Sequence, residues 1–289
     1  MEASAQGAGK LAFALRVPIG VVAAITPFNF PLNLVAHKVA PAVAAGCPVV
    51  LKTAPQTPLS SLRLVALLVD AGLPADWVSV VTDTGRQAAV PLVEHTIPRM
   101  VTFTGSVPVG WGIAAAAPRK RVALELGSNS PVIIEPDADV EAVAARITTG
   151  GFGYAGQSCI SVQRVLVHHS VRDALRDTLM ARVEGLVVGD PMDEATDVGP
   201  MISERERTRV LEWIFEATSS GGALVTGGNA EGTVVLPTVI DGPPRDARLF
   251  RQEAFGPVVV IIATTTSRRR STSPTTATSG STPACSPTT

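Results

Sequence analysis

The first half of the chain alternates short apolar runs with longer segments of helical spacing. The apolar runs predict buried strands at 19–25, 47–53, 77–81, 99–105 and 121–127. Helical spacing that ends at glycine predicts helices at 33–46, which contains an unfavourable Pro41, and at 59–72. Nearly continuous apolar strands that alternate with helices favour a parallel sheet covered on both faces. We therefore interpret residues 1–126 as a nucleotide-binding α/β domain.

A second α/β domain is predicted over residues 127–262. Asp137 or Asp139 is expected to cap a helix that runs to about residue 149. The remaining elements are expected as helices at 171–186 and 203–219 and as strands at 164–169, 234–240 and 257–262. Residues 263–289 contain ten Thr, six Ser, three Pro and three Arg. Such a segment buries too little apolar surface to offset its ordering entropy, so we predict that it is disordered.

Composition narrows the class of protein. The 289 residues are 17% charged with a net charge of −1, which favours neither nucleic acid nor an acidic partner. The three cysteines form no CxxC pair, so neither disulfides nor a metal site is expected, and the predicted location is cytoplasmic. Arg16, Pro18 and Gly20 interrupt the apolar run 11–25, which argues against a membrane or signal segment.

Two residues at turns are candidates for covalent chemistry. Cys159 lies in GQSCIS (156–161), after a glycine-rich run. An isolated cysteine is usually a buried small hydrophobe, but a loop position beside backbone N–H groups favours a nucleophile. Glu125 ends a strand just before a glycine. It is either a solvated strand end or, at the carboxyl edge of a parallel sheet, a base for a hydrolytic water.

Two other segments carry residue types suited to binding. In FTGSVPVG (103–110), Gly105 and Ser106 separate a strand from a helix start, where a phosphate can approach the backbone. The same pattern also suits an ordinary glycine turn. In TPFNFP (26–31), Asn29 either caps a turn or donates an N–H to an oxyanion.

These segments, in this order, resemble those of the NAD(P)-dependent aldehyde dehydrogenase superfamily between about residues 13 and 262. The resembling segments are TPFNFP (26–31), LKTAPQTPLS (51–60), FTGSVPVG (103–110), LELGSNSP (124–131), GQSCISVQR (156–164), GDPMDEATDVGPMIS (189–203) and EAFGPVVVI (253–261). The resemblance implies a Rossmann-like parallel-sheet cofactor domain and an α/β catalytic domain, both incomplete. It also implies a homo-oligomeric family whose oligomerisation segments this chain lacks.

The activity implied by the resemblance is oxidation of a small aldehyde to a carboxylic acid with NAD or NADP. Cys159 is the implied nucleophile, Asn29 with the Cys159 N–H holds the oxyanion, and Glu125 activates water for thioester hydrolysis. The implied cofactor-binding residues are Phe28, Lys52, Gln56, Gly85, Gly105, Ser106, Leu126, Glu253 and Phe255. Lys52 is expected at the adenosine ribose and Ser106 at the pyrophosphate. Glu253 and Phe255 are expected at the nicotinamide end.

Two departures from the family pattern bear on the cofactor. Gln56 stands where many NAD-preferring members have a glutamate, so the resemblance implies that NADP is tolerated. Asp83 stands where a glycine is usual, near the expected phosphate loop. Two other functions remain open on the residues: a truncated fragment that at most binds a dinucleotide, and a cysteine hydrolase. The latter needs a histidine partner, and none of His37, His95, His168 and His169 lies in a motif.

The amino-acid composition changes abruptly after residue 262, which suggests a frameshift in the coding sequence. Suppose that one base was lost near codons 263–266. In the restored frame, the codons of SGSTPACSP (279–287) then permit F-G-L-x-A-G-V-F-T, and those of PTTA (274–277) permit A-N-D-S, among other readings. The family has a segment of this kind at this place. We therefore interpret residues from about 263 onward as a shifted reading of a normal member, and expect a chain of low stability and little activity.

The underlying DNA tests this interpretation. We expect the alternative frame across codons 263–289 to encode the A-N…G-L…V-F-T pattern without stop codons. A frame-corrected and N-terminally extended chain should then oxidise aldehydes. An alternative frame that lacks the pattern would instead make the tail a genuine Ser/Thr/Pro-rich linker.

Overall fold

The computed structural model describes residue 9, residues 13–85 and residues 87–265. The chain divides into two compact units between Glu125 and Leu126. The predicted α/β fold class is confirmed, because each unit is built on a five-stranded sheet with parallel pairs. In the described ranges, no helix combines the length and apolar character that a membrane crossing requires.

The first unit alternates strands and helices. Its elements are β1 (Val22–Ile25), α1 (Asn33–Ala44), β2 (Val49–Lys52), α2 (Pro58–Asp70), β3 (Val78–Val81), α3 (Ala89–Glu94), β4 (Met100–Gly105), α4 (Val107–Ala116) and β5 (Arg121–Leu126). The strand order is β3-β2-β1-β4-β5. Strands β3, β2, β1 and β4 pair in parallel, so their carboxyl ends lie at one edge of the sheet.

The burial of the central strand β1 explains why the sequence pattern predicts this sheet well. All four of its residues are buried, because strands flank it on both sides. Val35 and Val39 of α1 pack into the same core as Val49 and Leu51 of β2. Parallel strands covered by helices need apolar residues on both faces, which is the continuous pattern seen along the chain.

The second unit has a mixed sheet. Its elements are β6 (Pro131–Ile134), α5 (Val140–Phe152), β7 (Arg164–His168), α6 (His169–Glu184), α7 (Glu204–Ser219), β8 (Ala223–Thr226), β9 (Ala230–Glu231), β10 (Val234–Val235), β11 (Thr238–Asp241), α8 (Arg248–Arg251) and β12 (Val258–Thr264). The strand order is β6-β7-β12-β11-β8, with β8 antiparallel to β11. Strands β9 and β10 form a separate hairpin. As predicted for one of the two aspartates, Asp139 caps α5 by accepting from the N–H of Ala142 at 3.1 Å.

The structure confirms one predicted helix despite its proline and differs from the sequence prediction at several other elements. The helix predicted at 33–46 is found as α1 and continues through Pro41, which is exposed. The single strand predicted at 234–240 is instead divided into β10 and β11, which belong to different sheets. Strand β8 was not predicted, since its first two residues are exposed and it lacks a buried pattern. Strand β12 extends past the predicted boundary at 262, because Ala263 and Thr264 pair with β7. The rest of the predicted disordered tail, from residue 266, lies outside the described residues.

Close packing of α5 on β12 gives a test of the second unit. A Cβ atom on Gly151 would lie 2.7 Å from Val259 Cγ2 and 3.0 Å from the Val162 carbonyl oxygen. We expect Gly151→Ala to lower the free energy of unfolding by about 1–3 kcal/mol, because overpacking outweighs the better helix propensity of alanine. Urea unfolding followed by circular dichroism measures the change.

Gly153→Ala is the matched control. A Cβ atom on Gly153 would meet no heavy atom within 4 Å. Its free energy of unfolding should stay within about 0.5 kcal/mol of the original chain. Equal stability of the two variants would contradict the close approach of α5 to β12.

Candidate active site

A cleft of about 440 Å³ opens at the carboxyl edge of the first sheet. Its walls come from the ends of β1, β2 and β4 and from helices α3 and α4. The lining residues are Ile25, Lys52, Gly85, Ala89, Val90, Val93, Glu94, Phe103, Pro108, Val109, Gly112, Ile113 and Ala116. Most of them are apolar, and the position matches the place where open parallel sheets bind ligands.

Two predicted cofactor residues, Lys52 and Gly85, meet at this cleft. Lys52 is the last residue of β2 and is only 5% exposed. Its Nζ donates a hydrogen bond to the Gly85 carbonyl oxygen at 3.0 Å. The same Nζ lies 2.7 Å from Oδ1 of Asp83, so the lysine is paired with a carboxylate. Gln56, also predicted here, lies exposed in the turn before α2.

The predicted phosphate turn follows β4. Gly105 ends the strand, and a Cβ atom there would lie 2.5 Å from Cζ of the Phe103 ring. Any larger residue would therefore force the Phe103 ring to move where the turn passes over it. Ser106 has an extended conformation at the N-cap of α4, so its hydroxyl and the first N–H groups of a ten-residue helix are found together.

The other site residues predicted in the first unit also lie at strand ends. Phe28 and Asn29 follow β1, and Asn29 is 3% exposed. Glu125 lies on β5 next to its last residue, Leu126, and is exposed. An exposed carboxylate and a buried amide have the accessibilities expected of a base that meets water and of a fixed hydrogen-bond donor.

Lys38 was missed by sequence reasoning. It lies on the buried face of α1 with Val35 and Val39, and its Nζ donates to Thr102 Oγ1 at 3.0 Å. Burial lowers the pKa of Lys38 to about 8, although the charge of Glu125 opposes this shift. The available signal was a lysine spaced i+3 from an apolar residue on the core-facing stripe.

Backbone strain precedes the predicted nucleophile in the second unit. Tyr154 and Ala155, in the short turn Gly153–Gly156, have φ angles of 59° and 52°. Gly156 continues with φ 66°. Left-handed conformations are costly for residues with a Cβ atom and are concentrated at functional sites. The strain therefore marks the segment that leads into Cys159.

Cys159 itself lies in a hydrogen-bonded turn. The Ser161 N–H donates to the Ser158 carbonyl oxygen at 3.0 Å, and Cys159 and Ile160 form the middle of this turn. Cys159 is half-buried, whereas Ile160 is 85% exposed. The buried side chain of Gln157 fixes the start of the turn, because its Oε1 accepts from the Ile202 N–H at 2.9 Å. Cys159 is thus presented by a turn and is not a core residue.

The cysteine turn packs directly on the E-x-F-G-P segment. A Cβ atom on Gly156 would lie 2.1 Å from the carbonyl oxygen of Gly256. Phe255, just before Gly256, has a φ angle of 47°. The two segments that the sequence singled out separately therefore meet backbone to backbone within the second unit.

Glu253 contacts the turn after β5. Its Oε1 accepts from the Ser128 N–H at 2.9 Å, and a Cβ atom on Gly127 would lie 2.0 Å from its Oε2. Burial raises the pKa of Glu253 to about 7, although the Ser128 N–H and the charge of Arg209 oppose the shift. This carboxylate therefore changes charge near neutral pH.

Gln163 and Arg164 were also missed as positioning residues. The Gln163 side chain accepts from the Ala254 N–H and donates to the Ser128 carbonyl oxygen, so it joins two of the predicted segments. Arg164 is 0% exposed, and its Nη2 donates to the Asn129 carbonyl oxygen. Both sit in GQSCISVQR, where polar residues at a strand start were the available signal.

The histidines provide little support for a cysteine hydrolase. His37, His95 and His169 are exposed. His168 is half-buried, and its Nδ1 accepts from the Ser170 N–H at 3.3 Å as the N-cap of α6. A capping role accounts for this side chain.

The sequence was compared with those of known proteins. Residues 1–269 match the Aldehyde dehydrogenase family. A 3-sulfolactaldehyde dehydrogenase from Priestia aryabhattai is 46% identical over 259 residues, which are 90% of this chain and 54% of that protein. The chain therefore spans about half the length of the curated relatives it matches.

Solved structures agree with this match. A glyceraldehyde-3-phosphate dehydrogenase from Methanocaldococcus jannaschii, complexed with NADP, has a TM-score of 0.84 and 38% identity over 87% of this chain and 56% of its own. A mutant of aldehyde dehydrogenase C from Pseudomonas syringae, complexed with NAD+ and octanal, also has a TM-score of 0.84 and 38% identity, over 87% of this chain and 53% of its own. From its sequence match and its fold, this chain belongs to the aldehyde dehydrogenase family.

Proposed function

We propose that this chain oxidises an aldehyde to a carboxylic acid with NAD or NADP, and that Cys159 is the nucleophile. The observation that carries the proposal is the cysteine turn. It presents a half-buried thiol after a strained segment, and it is fixed by Gln157 and by the contact of Gly156 with Gly256. Membership of the aldehyde dehydrogenase family supports the same chemistry.

The cleft of the first unit fits the adenosine half of a dinucleotide. Its apolar walls suit an adenine ring, and Lys52 at one side suits a ribose hydroxyl. Gly105 and Ser106 are suited to the pyrophosphate, because the turn has no Cβ atom at Gly105 and leads into the N-terminus of α4. Glu253 and Phe255 are proposed for the nicotinamide end. A bound dinucleotide would supply the hydride acceptor.

The proposed chemistry is a two-stage covalent reaction. The Cys159 thiolate forms a bond to the aldehyde carbon, and the Asn29 amide and the Cys159 N–H stabilise the resulting oxyanion. Loss of a hydride from that carbon leaves a thioester on Cys159. Glu125 then takes a proton from a water, whose oxygen attacks the thioester carbon. The carbon–sulfur bond breaks, which releases the carboxylic acid and regenerates the thiolate.

The relatives guide the choice of aldehyde. The 3-sulfolactaldehyde dehydrogenase from Priestia aryabhattai is 46% identical, whereas a betaine aldehyde dehydrogenase and a phenylacetaldehyde dehydrogenase, named for a cationic and a neutral aldehyde, are 40% and 42% identical. The name of the first describes a small aldehyde that carries an acidic group. We therefore propose small anionic aldehydes as the substrates to test first.

Replacement of Cys159 tests the nucleophile. In a frame-corrected and N-terminally extended chain that oxidises aldehydes, we expect Cys159→Ser to abolish aldehyde-dependent reduction of NAD(P), because a serine hydroxyl is far less ionised than a thiol at neutral pH. Dinucleotide affinity, measured by calorimetry, should be retained. Cys47→Ser is the control, since Cys47 is 3% exposed and belongs to the core of the first unit. Turnover that survives in Cys159→Ser would contradict the assignment. An original chain that binds the dinucleotide without turnover would favour the impaired fragment.

Replacement of Glu125 tests the base. We expect Glu125→Gln to slow thioester hydrolysis by about 10²–10⁴-fold, because an amide cannot accept the proton of water. Acylation should be affected less, so stopped-flow measurements should show a burst of reduced dinucleotide before a slow steady state. Equal slowing of the burst and the steady state would place Glu125 outside the hydrolytic step.

A further inference from the structure

The partner of Lys52 has a bearing on cofactor choice. Asp83 Oδ1 lies 2.7 Å from Lys52 Nζ, and the two side chains are only 9% and 6% exposed. Lys52 pairs with Val81 in the register of β2 and β3, so Asp83 follows the neighbouring strand by two residues. Parallel pairing therefore holds a carboxylate at the place where β2 delivers its lysine.

The surrounding groups keep Asp83 ionised. The Ala88 N–H donates to Oδ2 at 2.9 Å, which fixes the carboxylate from the start of α3. Burial alone raises the pKa of Asp83. Hydrogen bonds from Lys52, Ala88 and Gly85 and the charge of Lys52 outweigh that effect and bring the pKa below its usual range. At neutral pH the pair is an ammonium beside a carboxylate with no net charge.

Lys52 lies at the wall of the cleft, and Asp83, which is not one of the lining residues, contacts Lys52. Lys52 and Gly85 both line the cleft, and Lys52 is the single cation among its described lining residues, which also include the acidic Glu94. A ribose 2′-hydroxyl can accept a hydrogen bond from the Lys52 ammonium without adding charge. A 2′-phosphate adds negative charge where Lys52 is already neutralised by Asp83. Like charges brought together in a partly buried site are costly.

We propose that Asp83 determines the cofactor preference of this chain and selects NAD over NADP. The proposal rests on the proposed function, because it assumes that the adenosine half of a dinucleotide occupies the cleft. The uncharged Gln56 had led to the expectation that NADP is tolerated, whereas Asp83 leads to the expectation that NADP binds less tightly than NAD. Gln56 is exposed in the turn before α2, whereas Asp83 is bound to Lys52.

Calorimetric binding to the 289-residue chain tests the proposal without any need for turnover. The probes are NAD and NADP, together with 5′-AMP and adenosine 2′,5′-bisphosphate, which report on the adenosine half alone. We expect the original chain to bind each probe without a 2′-phosphate at least about tenfold more tightly than its phosphorylated counterpart. In Asp83→Asn this ratio should fall by about tenfold, because the amide keeps the shape but not the charge.

Two further variants sharpen the result. Asp83→Gly removes the side chain altogether and should lower the ratio in the same direction, so the test does not depend on one substitution being well folded. Asp76→Asn makes the same change of charge at an exposed position of the first unit and should leave the ratio unchanged. Circular dichroism of each variant verifies folding.

The outcomes separate this proposal from the proposed function. An original chain that binds both cofactors equally, or NADP more tightly, would overturn the role of Asp83. The role of Asp83 would also be overturned if the ratio of the two affinities is identical in the original chain and both Asp83 variants. In each of these cases the assignment of the cleft to the adenosine half would be retained. If no probe binds the original chain, the adenosine cleft itself is wrong and the role of Asp83 fails with it.

Discussion

Parallel pairing of short, buried strands is the constraint on which the first unit depends. It brings the ends of β1, β2, β3 and β4 to one edge, although helices separate them in the chain. The cleft forms there because each strand end contributes one side chain or turn, and the apolar strands behind it hold these groups at fixed spacing. The chemistry-bearing residues of the unit are thus positioned by a core that takes no part in chemistry.

Close backbone approach has the corresponding role in the second unit. Gly127 leaves room for the Glu253 carboxylate, and Gly156 leaves room for the Gly256 carbonyl group. The strained residues nearby, Tyr154, Ala155 and Phe255, each cost about 1–3 kcal/mol. Such conformations persist because the packing around them leaves no alternative. The cysteine turn and the E-x-F-G-P segment therefore stabilise each other.

Several charged side chains buried near these groups have a polar or charged partner. Lys52 is neutralised by Asp83, Lys38 donates to Thr102, and Glu253 accepts from the Ser128 N–H. Because the local dielectric is low, a single added or removed charge has a large effect on what binds beside it. Local pairs, and not the net charge of −1, govern the electrostatics of the sites.

The sequence by itself determined the fold class, the positions of most strands and helices, and the segments around Cys159, Glu125 and Lys52. These features are local, because strand and helix periodicity, glycine turns and caps depend on neighbouring residues. Only the tertiary structure decided which carboxylate or amide lies against Lys52. Gln56 is close in sequence, but it is exposed in the turn before α2. Asp83 is distant in sequence and close in space, because β3 pairs with β2. The burial of Lys38 and the bridging contacts of Gln163 could not be predicted from the sequence for the same reason, because their partners come from other elements of the fold.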